Sequence, residues 1–171
     1  MELPEGVLLK PIECHSDSRG WVTEIHRENW EPYFNATQWN VFFSRKNTLR
    51  GVHLHHQRTD YVFIAQGNVR VGMKDVRAHS ATADFSCMIS LSEAVPQILM
   101  IPPGVAHGFF SETENIMVLG MNYGWEMKDE LGCSWNDPDL EMVWPCDQPI
   151  LSERDINACS YKKMKEYYHA K

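Results

Sequence analysis

Apolar and polar residues alternate in short runs along most of this chain. "WVTEIHR" at 21–27 has period two, as do "YVFIAQGNVRVGMKDVR" at 61–77 and, in part, "QILMIPP" at 97–103. Period two sends successive side chains to opposite faces, the mark of a half-buried strand. "IMVLGMNY" at 116–123 is a further strand candidate. Turn residues separate the runs. Gln66-Gly67-Asn68 reads as a hairpin turn. "IPPGVAHGFF" at 101–110, with two prolines and a glycine, reads as a turn leading into a strand. Short strands at this spacing predict an all-β sandwich or barrel. The last third changes character. "SWNDPDLEMVWP" at 134–145 reads as a loop with a short strand. Ser152 is an N-cap ahead of acidic residues, and a helix-compatible stretch follows, predicting a C-terminal helix over about 153–168. No repeat, linker or low-complexity tract interrupts the chain, so residues 1–171 read as one domain.

Composition narrows the class. A length of 171 residues with 43% hydrophobic and 11% aromatic content suits one domain with a real core. A formal net charge of −7 argues against nucleic acid or an anionic membrane as partner. It leaves room for an anionic small ligand, because a few arginines in a pocket bind phosphate even in an acidic protein. The chain has no long apolar run, and "MELPEGVLLKPIE" lacks a basic region and a small-residue cleavage site. Cys14, Cys87, Cys133, Cys146 and Cys159 show no CxxC spacing and read as free thiols in a reducing cytoplasm.

The chemistry concentrates in "LRGVHLHHQRTDYVFIAQG" at 49–67, where His53, His55 and His56 fall within four positions. On a regular strand His53 and His55 share a face and His56 points the other way, into solvent. One reading of the cluster is a metal site. HxH, a following carboxylate and a distant histidine match the cupin pattern, here His53, His55, Asp60 and His107. Three imidazoles and a carboxylate suit one divalent ion of iron, manganese, nickel or zinc. Asp60 is equally open to an ion pair with a histidine or Arg58, and His55 to being a plain polar strand residue.

The flanks favour a second reading. "DSRGWVTEI" (17–25), "QWN" (38–40), "LRGVH" (49–53), "PPGVAHGF" (102–109), "WNDPDLEMVWP" (135–145) and "LSERD" (151–155) occur in this order. Together they resemble the dTDP-4-dehydrorhamnose 3,5-epimerase family over roughly residues 7–160. The resemblance implies a cupin jelly roll, a homodimer and an enzyme that needs no metal or other cofactor. It implies a nucleotide-linked 4-keto-6-deoxy sugar as substrate, dTDP-linked in the family, in polysaccharide or deoxysugar supply. The family's catalytic base falls on His53 and its partner carboxylate on Asp155. Arg19 and Arg50 fall on positions that bind diphosphate or sugar. Glu24, Gln38 and Asn40 fall on polar positions near base and sugar, and His107 on the pocket wall. Tyr123 is a further substrate-binding candidate. Two positions depart from the family. Its lysine near the reacting oxygen is replaced by Asp60. Its acid tyrosine falls on Val118, or on Leu119 with the gap placed elsewhere, and neither can donate a proton. A metal-dependent cupin enzyme and a catalytically silent nucleotide-sugar-binding homologue therefore stand as alternatives to an epimerase. Trp135 and Trp144 read as packing residues.

Overall fold

The computed structural model describes residues 2–30 and 34–170. Its strands are β1 (Leu8–Pro11), β2 (Cys14–Asp17), β3 (Gly20–Thr23), β4 (Gln38–Ser44), β5 (Leu49–Leu54), β6 (Asp60–Gln66), β7 (Asn68–Asp75), β8 (Ser86–Ser92), β9 (Gln97–Ile101), β10 (Val105–Ser111), β11 (Asn115–Met121) and β12 (Leu131–Gly132). Two helices follow, α1 (Glu153–Ile156) and α2 (Tyr161–His169). Among the described residues, one five-stranded sheet runs β1-β9-β6-β11-β4 and a second runs β12-β5-β10-β7-β8. β2 and β3 pair only with each other. The named pairings are antiparallel, and the sheets face one another as a jelly roll, the predicted class.

The alternation seen in the sequence sets which residues meet between the sheets. Val62 and Ile64 of β6, Met117 and Leu119 of β11, Val71 and Met73 of β7, and Phe109 of β10 form the central core. The alternate residues Tyr61 and Phe63 face outward, with Phe34 and Ile98. The second sheet is also covered on its outer side. There Leu49, Val52, Leu54, Ala106 and Phe110 pack against Leu140, Trp144, Tyr161 and Met164. Trp144 is thus a packing residue, its indole N–H donating to the Trp135 carbonyl at 3.0 Å.

Three local expectations change. Gln66-Gly67-Asn68 is not a hairpin turn, because β6 and β7 lie in different sheets. Gly67 turns the chain from one sheet to the other with φ +85°, and a Cβ there would sit 2.2 Å from the Glu114 carbonyl oxygen. The 134–145 segment holds a 3-10 turn at Pro138–Leu140 rather than a strand, with the short strand β12 just ahead of it. The C-terminal helix is two helices. The Cys159 backbone forms an isolated parallel β-bridge with Cys133, both thiols staying free, the Ser134 N–H donates to the Cys159 carbonyl, and Ser160 in an extended conformation caps a new helix.

Candidate active site

A cavity of about 390 Å³ opens between the sheets and under α1. His53, Arg50, Asn40, His107, Asp60 and Asp155 all line it. Regular alternation along β5 would send Arg50 and His53, three residues apart, to opposite faces. The register against β10 resolves this: His107 faces His53 and Phe109 faces Arg50, so β5 carries one extra residue between them. This β-bulge re-aims the strand and brings both side chains to the cavity, while Leu49, Val52 and Leu54 stay in the outer core. Glycine is required at its centre. Gly51 has φ +122°, and a Cβ there would stand 2.7 Å from the Gly108 Cα.

His53 Nε2 lies 2.8 Å from Asp155 Oδ1. Asp155 belongs to the first turn of α1, capped by Ser152, whose hydroxyl accepts the Asp155 N–H at 3.2 Å. One carboxylate thus favours the helix N-terminus and holds the imidazole. With Nε2–H donating to Asp155, Nδ1 carries the free lone pair. It faces Glu130 Oε1 at 3.7 Å, beyond hydrogen-bond range. Burial holds the His53 pKa below the usual imidazole value, offset by Asp155 and Glu130 and reinforced by Arg154, which contacts the same ring. His53 is therefore a neutral base at physiological pH. Burial would raise Asp155, but the hydrogen bond and charge of His53, the Ser152 hydrogen bond and Arg154 together outweigh it and hold the carboxyl below its usual value.

The cavity floor holds a second histidine–carboxylate pair. His107 Nδ1–H donates to the Val105 carbonyl at 3.0 Å, and its Nε2 meets Asp60 Oδ2 at 3.0 Å. His55 lies just past the end of β5, only 2% exposed, not on a polar strand face. Its Nδ1–H donates to the Asp129 carbonyl at 3.2 Å, and its Nε2 accepts from Arg58 Nη2 at 2.6 Å. Burial lowers the His55 pKa to about 4, consistent with that neutral tautomer. Burial would raise Asp60, yet His107, His55 and Arg58 hold it at about 2. His56 is not solvated: its ring stacks on Tyr168 at 4.8 Å.

The metal set changes accordingly. His53 turns to Asp155, leaving His55, Asp60 and His107, whose ligand atoms lie within 4.8 Å of one another. Arg58 stands among them, bonded to His55 Nε2 and with Nε 2.7 Å from Asp60 Oδ1. The lone pair that a metal would need on His55 is already taken by a guanidinium, so the three residues as arranged fit an arginine rather than an ion.

Four nominated substrate residues, Arg19, Glu24, Gln38 and Tyr123, stand apart from the cavity lining. Arg19 and Glu24 lie on and after the β2–β3 hairpin, which joins neither large sheet. Arg19 pairs with Asp17 at 2.6 Å and is 88% exposed, and Glu24 pairs with Arg27. Tyr123 lies past the end of β11 and turns to Glu126. Gln38 acts indirectly, donating to Asn40 Oδ1 at 3.2 Å and accepting the Trp125 N–H at 3.0 Å. Sequence reasoning missed Glu130, Arg154 and the apolar wall of Met117, Leu119 and Met121. Arg154 sits beside Asp155 in "LSERD" and was within reach. Glu130 lies in a short irregular segment with no periodic signal. Of the two positions matched to the family's tyrosine, Leu119 faces the cavity and Val118 packs on the outer side.

A jelly roll with a histidine–aspartate pair beside arginines in its cavity has the make-up of a sugar-nucleotide isomerase. The sequence profile described as dTDP-4-dehydrorhamnose 3,5-epimerase matches residues 1–163. The chain belongs to that family, whose members are isomerases acting on carbohydrates. It is 30% identical over 146 residues to the spore coat polysaccharide biosynthesis protein SpsL of Bacillus subtilis, covering 82% of this chain and 95% of that protein. It is 30% identical over 167 residues to the dTDP-4-dehydrorhamnose 3,5-epimerase of Shigella flexneri, covering 91% of each. The crystal structure of ChmJ, a 3'-monoepimerase from Streptomyces bikiniensis in complex with dTDP-quinovose, superposes with a TM-score of 0.84 at 26% identity, covering 99% of this chain and 96% of that one.

Proposed function

We propose that this protein epimerises a dTDP-linked 4-keto-6-deoxy sugar, without a cofactor, as a cytoplasmic homodimer. The observation that carries the reading is the His53–Asp155 pair on the cavity lining, with Nδ1 left without a hydrogen bond. A ketone acidifies the C–H bonds beside it. His53 Nδ1 takes the proton from C3 or C5, the C–H electron pair moves into the ring as an enolate, and the imidazolium that forms is held by Asp155. A proton delivered to the opposite face of that carbon, as the electron pair returns from oxygen, inverts the centre. Met117, Leu119 and Met121 present no proton donor, so solvent is the source of the returned proton in this reading. Arg50 is suited to the diphosphate. Its guanidinium bonds to Ser44 Oγ and the Phe43 carbonyl, and it makes no ion pair with a carboxylate among the described residues.

Two features support the dimer. Arg19 and Glu24 do not reach the cavity of their own chain. Trp39, Val41 and Phe43 leave apolar surface exposed on the edge strand β4, and Trp21 and Val22 do so on the hairpin. A second copy placed there would cover that surface and bring its hairpin toward the cavity. Sedimentation of the wild type at twice the chain mass, and of Phe43→Arg at the chain mass, is the expected result.

The test of the reaction is NMR of dTDP-4-keto-6-deoxyglucose in D2O with the enzyme, with and without EDTA. Deuterium at C3 or C5 in both samples supports the reading. Exchange abolished by EDTA points to a metal, and no exchange in either sample points to a silent binder.

A further inference from the structure

Removing a proton beside a ketone drives negative charge onto the ketone oxygen, and an enolising site needs a positive or hydrogen-bonding group there. Asp60, at the position of the family's lysine, cannot serve. Three arginines line the cavity. Arg50 is anchored on β4. Arg154 is half-exposed and engages Glu130 Oε1 at 3.2 Å. Arg58 lies on the floor, 6% exposed, on the loop between β5 and β6. Glu130 bridges it to the base: Arg58 Nη1 donates to Glu130 Oε2 at 3.1 Å, and the other oxygen faces His53 Nδ1.

We propose that Arg58 is the enolate-stabilising residue of this site and that Asp60 is the positioning residue that holds its guanidinium at the cavity floor. The inference rests on the enolising reading above. Arginine offers five N–H hydrogens in a rigid planar fork. Among the described residues its aligned partners are Glu130, His55 and, at 3.4 Å, Asp60 Oδ2. Arg58 Nε and Asp60 Oδ1 face each other at 2.7 Å, yet both are buried without an aligned hydrogen bond. This ion pair ties the guanidinium to the carboxylate at the floor, and both residues line the cavity. The pair fits a sugar carbon that carries an oxygen acceptor, the ketone, for the guanidinium, next to one that carries a hydroxyl donor for the carboxylate. His55 completes the arrangement as a neutral acceptor fixed by the Asp129 carbonyl, so it orients the fork without adding charge. Arg58 thus supplies at this floor the positive charge that a lysine or a metal ion would otherwise bring.

The test compares wild type, Arg58→Met and Arg58→Gln with dTDP-4-keto-6-deoxyglucose in D2O. Deuterium exchange is read by NMR, and dTDP affinity by calorimetry serves as a check on fold and nucleotide binding. Exchange lowered about 100-fold or more, with the dTDP Kd held within about threefold, supports the proposal. Arg58→Gln keeps polar hydrogens without the charge and decides the matter should Arg58→Met fail to fold. Exchange at the wild-type rate in either folded variant overturns the role of Arg58 alone. No exchange in the wild type overturns the enolising reading and this inference with it. Wild-type exchange that EDTA abolishes overturns it in favour of a metal at His55, Asp60 and His107. For Asp60→Asn, kcat falls about tenfold with little change in KM. A loss of stability with kcat unchanged would show that Asp60 does not position the arginine.

Discussion

The cavity contains two histidine–aspartate pairs with nearly the same spacing, 2.8 Å for His53–Asp155 and 3.0 Å for His107–Asp60. Their surroundings differ. His53 is 18% exposed, is held by a helix that follows it by about a hundred residues, and keeps one ring nitrogen free. His107 is 3% exposed, with oxygen partners at both nitrogens and a guanidinium against its aspartate. The first pair can exchange a proton with a ligand. The second is committed to its neighbours and sets the charge of the floor. Distance alone does not separate a base from a scaffold; the unoccupied lone pair does.

The comparison breaks most visibly at His53. His53→Ala should lower C–H exchange by about 10³-fold or more while leaving the melting temperature within a few degrees. An equal loss of stability would mean the pair is structural. The floor should respond to acid. His55 has a pKa of about 4 in the fold against 6.5 for the free side chain, so the unfolded chain binds the extra proton as pH falls below 6.5. The native state therefore loses stability between pH 6.5 and about 4, by on the order of 3 kcal/mol. Asp60, held at about 2 against 3.8, is ionised in the fold, and its contribution is lost as pH falls from about 3.8 toward 2. Urea unfolding across pH 3–8 reads this, and His55→Gln should flatten the upper part of the slope. A more modest effect sharpens the contrast. Asp155→Asn should lower exchange about 100-fold through loss of the tautomer and of support for the imidazolium. The acid limb of its pH–rate profile should also shift downward, since the carboxylate raises the proton affinity of His53. An unchanged limb would exclude electrostatic support from Asp155.

Much of the fold was legible because period-two alternation and turn residues speak directly to strands, as in β6, β7 and β11. The crossing at Gly67 was not, since a tight turn that pairs two strands and one that parts two sheets use the same residues. His53, Asp155, Arg50 and Asn40 were legible through motifs, and the structure places all four on one cavity. The positions of Arg58 and Glu130 were not. Both lie in irregular segments, and only tertiary packing brings them within 3.1 Å. Arg19, Glu24 and Tyr123 were nominated by motif and stand elsewhere on this chain, which is where a second subunit becomes necessary to the reading.

The extra residue in β5 makes the spacing of "LRGVH" as constrained as its letters. Deleting one residue between Arg50 and His53 would remove the bulge and leave the two side chains two apart on one face of a regular strand, without the local bend that Gly51 makes against Gly108. Substitutions at this strand would grade the activity. A change of length would instead straighten the strand and change the angle at which Arg50 and His53 enter the cavity.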